Sequence, residues 1–455
     1  MASSPIEVWQ AVTAAGGVDA YVDEQLRSRG YLVERRDTEG MGKAELKRYK
    51  TQLKAEAKER RELRKAAWQA YKSTHIVHVG ESIWFNDDHD MDRFDLPDAE
   101  ARADENQLPA LDSPQQLAEA LELTVPELRW LSFHREAATS THYTPFTIPK
   151  RDGSERRIWA PRPKLKAAQR WILRNIVERL PVHGAAHGFL MGRSVATNAS
   201  QHTNAGVVIK VDLKDFFPTV SFRRVKGVFR KAGYRERVAT LLALLCTESP
   251  REIVEDNGTT YYVATGERCL PQGAPTSPAI TNTLCLRLDR RLTGLAESLG
   301  WRYTRYADDL TFSRPKDDGG KTAKKAAKAK SKKSKKSDAS SGPKKGIGIA
   351  TLIGVVTRIA AEEGFEVKAS KTRVARKGGR QQITGLVVND EHGPRTPRRL
   401  RRELRAAVHN LEQGKGLKDG ESIERLKGLA AWVYMTQPKL GRTLLARIDA
   451  AVSGS

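Results

Sequence analysis

Two adjacent carboxylates inside a strand-forming segment constrain this chain more than any other feature of its sequence. In RYADDLTF, Asp308 and Asp309 have strand-forming residues on both sides, which predicts a hairpin with both acids at its tip. Asp212 ends a second apolar strand-forming run, VVIKVD. Neighbouring acids in an apolar setting repel each other and are costly unless a cation compensates. An Asp-Asp pair at a hairpin tip can also be simple turn chemistry, which is the alternative.

Three acids on strands and tight turns suit phosphoryl transfer. This reaction needs in-line positioning and neutralised charge on the attacking and leaving oxygens. Two divalent ions roughly 3.5–4 Å apart can supply both. Mg²⁺ prefers oxygen ligands and keeps some water, so the protein need provide only a few carboxylates.

The charge balance favours a polyanionic partner. The chain has 79 Lys and Arg against 55 Asp and Glu, a net charge of +24. The low-complexity segment 316–345 carries twelve Lys and three Asp, which leaves +15 for the rest of the chain. A basic folded body indicates nucleic acid as a partner, although composition alone also allows a basic protein without one.

Cysteine usage and hydropathy indicate a cytoplasmic protein that does not bind a membrane. Cys246, Cys269 and Cys285 form no CxxC pair, so neither a disulfide framework nor a zinc site is expected. The N-terminus lacks a basic start followed by an apolar run, and no apolar stretch is long enough to span a bilayer.

The alternation of helical and strand patterns predicts an α+β fold with a mainly antiparallel sheet. Near the N-terminus, helices are predicted over 6–13, 19–27 and 43–72. The long third helix could lie along nucleic acid or pack on a partner, the default being a solvated helix with one docking edge. The acidic segment 86–112 is predicted to be a linker or exposed loop.

Three motifs in this order, VDLKDFFPTV, LPQGAPTSP and YADD, resemble the palm motifs of reverse transcriptases. The resemblance implies a right-hand polymerase with fingers, a palm with an antiparallel sheet and a helical thumb, preceded by an extra mainly helical region. It also implies two Mg²⁺ ions, with Mn²⁺ as a possible substitute, bound by Asp212, Asp308, Asp309 and the backbone carbonyl of Leu213. The predicted division is 1–112 for the N-terminal extension and acidic linker, 113–205 for the fingers, 206–395 for the palm with a disordered insertion at 316–345, and 396–455 for the thumb.

The same resemblance assigns nucleotide-binding residues. Phe217 stands at the position of the aromatic steric gate that selects deoxynucleotides, with a core Phe as the alternative. Gln272 and Gly273 match the motif that contacts the incoming nucleotide and template, or form only a tight turn. The predicted phosphate-binding residues are Lys150 and Arg157 of the hairpin FTIPKRDGSERRIWAP, with Arg156 as a competitor for Arg157, and Lys371 near the leaving pyrophosphate, or in a solvated basic turn.

Two further motifs resemble retron reverse transcriptases. Asn198 and His202 lie in an N-A-x-x-H pattern, and Thr384 and Gly385 follow Ile383 in a segment similar to V-T-G. The His could simply cap a helix, and the Thr-Gly pair could be an ordinary turn. The insertion after YADD is similar to that of myxobacterial retrons. The residues implied to bind RNA are Asn198, His202, Thr384, Gly385 and the thumb arginines Arg398, Arg399, Arg401, Arg402 and Arg405.

Membership of the retron group would define the partners. It implies a dedicated structured noncoding RNA, priming from the 2′-OH of an internal guanosine, and a branched RNA-linked single-stranded DNA product made from deoxynucleoside triphosphates. A host RNase H activity would trim the template, and an associated effector protein would act with the enzyme in defence against phage. The rival interpretations are a group II intron or diversity-generating reverse transcriptase, and a catalytically silent RNA-binding relative.

Overall fold

The structure, a computed structural model, describes residues 4–85, 95–150, 153–316, 348–415, 417 and 421–453. The chain divides into two compact units. Unit 1 comprises Met1–Arg179 and Ser221–Thr276, and unit 2 comprises Leu180–Val220 and Ser277–Ser455. The predicted insertion at 316–345 lies, after its first residue, outside the described residues. So does Asp152 of the fingers hairpin.

The predicted mixture of helices and antiparallel sheet is confirmed, because every strand pair among the described residues is antiparallel. The helices are α1 (Pro5–Ala14), α2 (Val18–Ser28), α3 (Lys43–Thr74), α4 (Ala99–Glu105), α5 (Pro114–Ala120), α6 (Val125–Ser132), α7 (Pro163–Asn175), α8 (Val195–Ser200), α9 (Phe222–Ala232), α10 (Glu236–Cys246), α11 (Ser277–Leu284), α12 (Leu286–Ser298), α13 (Ile349–Glu362), α14 (Arg398–Glu412), α15 (Ile423–Thr436) and α16 (Pro438–Ser453). The strands are β1 (Ala137–Ala138), β2 (Tyr143–Pro149), β3 (Glu155–Pro161), β4 (Ala205–Asp212), β5 (Arg251–Asp256), β6 (Thr259–Ala264), β7 (Arg302–Tyr306), β8 (Asp309–Pro315), β9 (Arg373–Arg376), β10 (Gln382–Ile383) and β11 (Leu386–Val387).

The three helices predicted near the N-terminus are present and form a small core of their own in unit 1. A capping box starts α1, where Ser4 and Glu7 bond each other's backbone N–H groups. Leu63 and Ala67 of α3 pack against Val12 of α1 and Val22 of α2, all of them buried. The apolar face of α3 is therefore covered by α1 and α2.

The prediction that 86–112 is a linker or exposed loop is wrong for its second half, while 86–94 lies outside the described residues. Residues 99–105 form α4, and Leu108 and Leu111 are buried. Gly233, at the end of α9, has a φ of 119° and lies so close to α4 that a Cβ there would collide with the carbonyl of Ala99. This close approach, invisible in an acidic and apolar-poor sequence, fixes α4 to the body of unit 1.

Unit 2 is organised around a four-stranded sheet with the strand order β7-β8-β4-β9. The middle of β4 is buried residue after residue, which is why its sequence is almost continuously apolar. Further along the chain, α14, α15 and α16 form a bundle whose buried residues include Leu404, Val433 and Leu444. None of the helices in the described ranges is both long and apolar enough to cross a membrane.

Candidate active site

The register of the central sheet brings the three predicted acids together. Asp212, the last residue of β4, lies directly opposite Asp309, the first residue of β8. Asp309 also pairs with Tyr306 of β7, so Ala307 and Asp308 form a two-residue turn between β7 and β8. Residues directly opposite each other on one face of an antiparallel pair have Cβ atoms roughly 4.5–5.5 Å apart. Acids that are distant in the sequence therefore meet at one end of the sheet.

Two lysines neutralise part of this negative charge. The Nζ of Lys371 lies 3.2 and 3.1 Å from the two carboxylate oxygens of Asp212. Two residues before Asp212 in β4, the Nζ of Lys210 lies 3.5 Å from Oδ2 of Asp309. A short 3-10 turn carries Lys371, and it is held to the sheet by the backbone N–H of Lys368, which donates to the carbonyl of Asp212 at 2.8 Å.

The environment of Asp308 raises the proton affinity of its carboxyl group. Its burial, followed by the negative charges of Asp309 and Asp212, raises the pKa of Asp308 to about 6. Its backbone carbonyl accepts a hydrogen bond of 3.0 Å from the N–H of Leu213, which ties the turn to the end of β4. A raised carboxyl pKa of this origin indicates a buried acid beside other negative charges, and a bound cation would favour its ionised form.

The donor set suits a hard divalent cation. All of its members are oxygen donors, which Mg²⁺ prefers, and Mg²⁺ commonly needs only one or two protein carboxylates beside water and substrate phosphates. Within the described ranges, no three His, Cys, Asp or Glu side chains are already arranged as a metal cage. This agrees with the ion pairs above, in which Asp212 and Asp309 are engaged by lysine ammonium groups.

A buried ion pair that the sequence does not predict supports the turn between β7 and β8. Arg305 of β7 and Asp289 of α12 are both fully buried. The Arg305 guanidinium donates to both carboxylate oxygens of Asp289, at 2.8–3.1 Å, and also to the carbonyl of Ala307 at 3.3 Å. Arg305 thus connects the helix layer directly to the residue before Asp308. An Arg in a strand and an Asp in a helix carry no sequence signal that they will pair.

The backbone of Gly188 lies so close to Ala307 in this turn that no larger residue fits there. A Cβ on Gly188 would lie 2.9 Å from the backbone N of Ala307, closer than real Cβ contacts come. Asn282 holds the same segment, because its amide donates to the carbonyl of Gly188 at 2.8 Å and its Oδ1 accepts from Arg305 at 3.0 Å. The turn is therefore packed tightly from two sides.

Phe217 lies in the tight turn that follows β4. Its ring is half-buried, and its centroid lies 5.5 Å from that of Phe216. Phe216 is the buried member of the pair and packs on Phe365 at 5.4 Å. Phe216 therefore takes the core position, which leaves Phe217 free to present part of its ring at the surface of unit 2.

In unit 1, the predicted Gln272–Gly273 motif docks on the fingers hairpin. The carbonyl of Gln272 accepts a hydrogen bond of 2.8 Å from the N–H of Trp159 in β3. Gly273 has a φ of 124°, and a Cβ there would lie 2.7 Å from Ile158 and from the Trp159 carbonyl. Only glycine fits this approach, so the motif is a docking turn as well as a candidate nucleotide contact.

The hairpin register favours Arg156 over the predicted Arg157 as the partner of Lys150. In β2 and β3, Arg157 lies opposite Thr147 and Arg156 opposite Ile148. The pairing continues to Lys150, whose N–H donates to the Ser154 carbonyl at 2.7 Å. Because faces alternate along a strand, Lys150 and Arg156 share one face and Arg157 lies on the other. The Arg157 guanidinium instead donates to the carbonyl of Arg251.

The two retron-like motifs meet in one cluster in unit 2. Ala199 of α8 packs with Ile383 and Leu386 of the β10–β11 hairpin, and all three are buried. Thr384 and Gly385 form the turn of that hairpin with φ values of 44° and 88°, and the Thr384 hydroxyl donates to the carbonyl of Val195 at 3.3 Å. Motifs that are far apart in the sequence therefore form a single structural element.

Asn198 and His202 do not have the exposure that the predicted direct contact with RNA requires. Both are fully buried. The His202 ring bridges the hydroxyls of Ser313 and Thr304, each at 2.7 Å. Burial, followed by the positive charge of Arg302, lowers the pKa of His202 to about 3, so the ring is neutral. We therefore assign both residues a positioning role in place of RNA contact.

The predicted thumb arginines lie on the first helix of the bundle. Arg398, Arg402 and Arg405 are exposed and follow a four-then-three spacing, which places them on one side of α14. Arg399 is also exposed but bonds Glu403 at 2.6 Å. Burial, followed by the charges of neighbouring arginines, lowers the pKa of the half-buried Arg401.

Comparison with known proteins identifies the family. A family model described as "Reverse transcriptase (RNA-dependent DNA polymerase)" matches residues 148–389, about half of the chain. The chain is 52% identical over 443 residues to the Retron Mx162 reverse transcriptase of Myxococcus xanthus, covering 96% of this chain and 87% of that protein. The chain belongs to the retron reverse transcriptases. This reverse transcriptase is an RNA-directed DNA polymerase of the myxobacterial retron type.

Other retron enzymes are more distant relatives of this reverse transcriptase. The Retron Mx65 reverse transcriptase of Myxococcus xanthus is 42% identical over 77% of this chain and 74% of that protein. The Retron Ec86 reverse transcriptase of Escherichia coli is 29% identical over 75% of this chain and 90% of that protein. Among solved structures, a Candida albicans telomerase in complex with a telomeric RNA fragment has a TM-score of 0.38 at 11% identity, covering 71% of this chain and 56% of that one. This likeness is too weak to support an argument.

Replacing Arg305 should destabilise this reverse transcriptase strongly. In Arg305→Met, Asp289 is left buried without its counter-charge, and breaking a buried pair in this way typically costs about 3–5 kcal/mol. Arg302→Met, on the exposed end of the same strand, should cost less than about 1 kcal/mol. Urea unfolding of both variants measures the difference. Equal losses would show that the pair does not support unit 2.

His202 should make the stability of unit 2 depend on pH. Its ordinary pKa of about 6.5 applies to the unfolded chain, so the unfolded state binds the extra proton between pH 6.5 and about 3. The neutral His202 ring therefore makes its full contribution to the free energy of unfolding above pH 6.5. This contribution is lost as the pH falls from 6.5 to about 3. When the pH is lowered from 7.5 to 5.0, the free energy of unfolding measured in urea should fall by roughly 2 kcal/mol less in His202→Gln than in the wild type. His392→Gln, at an exposed position, is the control, and the same pH dependence in wild type and His202→Gln would contradict the assignment.

Proposed function

We propose that this enzyme copies a cognate structured noncoding RNA into branched, RNA-linked single-stranded DNA by two-metal phosphoryl transfer. The observation that carries the proposal is the placement of Asp212 opposite Asp309, with Asp308 in the adjoining turn. A binding module gains nothing from holding three mutually repelling acids together, because crowded carboxylates are costly without a cation. The proposed right-hand architecture assigns the four-stranded sheet to the palm and the α14–α16 bundle to the thumb.

Asp212, Asp308, Asp309 and the Leu213 carbonyl would hold the divalent ions that reverse transcriptases in general use, Mg²⁺ or, as a substitute, Mn²⁺. When bound, these ions neutralise charge on the attacking and leaving oxygens. The chain's own residues prepare this state. Asp308 has to lose its proton to become a ligand, which a pKa of about 6 allows at neutral pH. Lys371 can exchange its contact with Asp212 for one with the leaving pyrophosphate, because an ammonium group binds phosphate oxygens equally well.

Several residues are proposed for nucleotide selection. Phe217 is proposed to block a ribose 2′-OH with the exposed part of its ring, which supports a preference for deoxynucleoside triphosphates. Lys150 and Arg156 supply cationic groups from one face of the fingers hairpin for phosphate oxygens, in place of the predicted pair with Arg157. Gln272 and Gly273 remain candidates for contacts with the incoming nucleotide and template.

The retron relatives support the choice of template and product. We propose that the cognate RNA binds through exposed arginines of α14, mainly Arg398, Arg402 and Arg405, by charge and shape. The half-buried Thr384 and the exposed Gly385 form the turn of the β10–β11 hairpin and are proposed as a second RNA contact. Synthesis would begin at a guanosine 2′-OH of that RNA in the cytoplasm. A host RNase H activity would trim the template, and an effector protein would complete a system of defence against phage.

Replacing Asp308 and Asp309 by Asn should abolish polymerisation without unfolding the chain. Loss of outer-shell partners of a metal commonly costs 10–100-fold, so loss of two ligands should lower primer-extension rates by more than about 100-fold. Asp256→Asn, at an exposed position in the β5–β6 hairpin, should extend a primer like the wild type. Extension with Mg²⁺ on a poly(rA) template with an oligo(dT) primer measures all three proteins. Equal rates would contradict the metal assignment.

The retron assignment makes a separate prediction about the nucleic acid bound in cells. Sequencing the nucleic acid that copurifies with the enzyme should give one dominant structured RNA joined through an internal guanosine to a DNA strand. The Asp308→Asn, Asp309→Asn double variant should copurify the same RNA without DNA. A mixture of unrelated RNAs in both preparations would favour another kind of reverse transcriptase.

A further inference from the structure

The long helix α3 carries a continuous row of cations along one side. They recur every three or four residues, as neighbours on one face of a helix do, and each is exposed. The row is interrupted only by Trp68, which occupies the next position of the same spacing and is 52% exposed. We name this row the basic stripe. It consists of Lys43, Lys47, Lys50, Lys54, Lys58, Arg61, Lys65 and Lys72.

The packing of α3 fixes the direction in which the basic stripe points. Leu63 and Ala67 hold the opposite side of the helix against α1 and α2. Two cations nearer to that side are paired, since Arg60 bonds Asp23 and Arg64 bonds Asp19. In contrast, no ion pair between described residues includes a member of the basic stripe. The paired arginines Arg60 and Arg64 therefore lie nearer to the packed side of α3. The basic stripe on the other side has no ion-pair partner among the described residues.

Two of the four acids of α3 are bound by arginines away from the basic stripe, while Glu45 and Glu62 are exposed and Glu62 borders the stripe four residues after Lys58. Glu56 is buried and bonded by Arg35, and Glu59 is bonded by Arg29. From Lys43 to Lys72 the stripe extends roughly 44 Å, at 1.5 Å per residue. A cation every turn over such a length matches an extended polyanion and not a small anion.

Among polyanions, the exposed ring of Trp68 beside the basic stripe favours a nucleic acid. Its ring stacks on Tyr71 with a centroid distance of 5.6 Å and an interplanar angle of 14°, and the Nζ of Lys72 lies 5.5 Å from the ring. A half-exposed aromatic ring flanked by cations is the device on which unpaired bases stack. A membrane surface fits less well, because a helix that binds membranes needs a free apolar face, and the apolar face of α3 is buried.

We propose that the basic stripe binds the sugar-phosphate backbone of RNA and that Trp68 stacks on an unpaired base at its C-terminal end. The inference assigns a second RNA-binding surface, in the N-terminal part of unit 1. It requires no catalytic activity, so it can hold or fail independently of the proposed function. In the enzyme, this surface would hold the structured RNA outside the region matched by the reverse transcriptase family model, which begins at residue 148.

The first experiment removes charge. The stripe variant replaces Lys47, Lys54, Lys58 and Lys65 by Gln in the full chain. The control variant replaces four exposed cations of unit 1 that lie off the stripe, namely Arg27, Arg48, Lys166 and Arg170. Fluorescence anisotropy with a labelled oligo(rU) measures Kd between about 50 and 200 mM NaCl. Each phosphate contact on a single strand contributes about 0.7 to the slope of log Kd against log salt, so the stripe variant should lose about 3 from that slope.

The control variant should keep the wild-type slope to within about 0.5, because its cations make no phosphate contact. Equal changes in the two variants, or no change in either, would overturn the proposal. A stripe variant that keeps wild-type binding to RNA but no longer binds vesicles containing phosphatidylserine would overturn it in favour of a membrane. Thermal unfolding of both variants checks that each is folded.

The second experiment removes the ring. Trp68→Ala should weaken oligo(rU) binding about fivefold or more, the range that loss of one stacked base gives, and should leave the salt slope unchanged because no charge is lost. Trp130→Ala, at another exposed tryptophan of unit 1, is the matched control. Unaltered affinity in Trp68→Ala would remove the stacking role. Primer extension on poly(rA) with saturating template should proceed at the wild-type maximal rate in the stripe variant and in Trp68→Ala. This result would distinguish the loss of RNA binding from a loss of catalysis.

Discussion

The antiparallel pairing of β4 with β8 is the constraint from which the candidate active site follows. It places Asp212 opposite Asp309 and, through the β7–β8 turn, brings Asp308 to the same end of the sheet. A slip of one residue would move every side chain of a strand to the other face. The burial of central residues such as Ile209 and Phe312 makes such a slip costly. Packing of an apolar sheet therefore fixes the position of its most polar residues.

Buried charge in unit 2 serves position more than stability. An ion pair such as Arg305–Asp289 contributes little net stability compared with apolar residues of the same size, but it is costly to break. Its directional hydrogen bonds extend to the Ala307 carbonyl, one residue before Asp308. An apolar pair could fill the same space but would donate no hydrogen bond to the turn. The strand register thus determines which acids lie together, and the ion pair holds the turn between β7 and β8 that carries Asp308.

Much of the candidate site could be predicted from the sequence, because its signals are local. Strand-forming runs next to acids indicate Asp212, Asp308 and Asp309, and the resemblance to a reverse transcriptase motif indicates Gly273. The remaining features depend on contacts between distant segments. Helix α4 has too few apolar residues to be recognised, and what fixes it is the close approach of Gly233.

Register and burial explain the other differences. The choice between Arg156 and Arg157 depends on which strand residue faces which, and the strand sequence alone allows either. The retron-like N-A-x-x-H pattern implied that His202 contacts RNA, yet two hydroxyls of the sheet satisfy its ring inside unit 2. Arg305 gave no signal because its partner belongs to a helix elsewhere in the chain.

The length of β8 has a practical consequence for engineering. Asp309 begins the strand and Pro315 ends it, and six steps of about 3.3 Å separate them by roughly 20 Å. The chain leaves the sheet after Pro315, at the end far from the acids, and the described chain resumes just before α13. Foreign sequence spliced in at this exit, such as an affinity handle or a fluorescent reporter, would be anchored well away from the candidate active site.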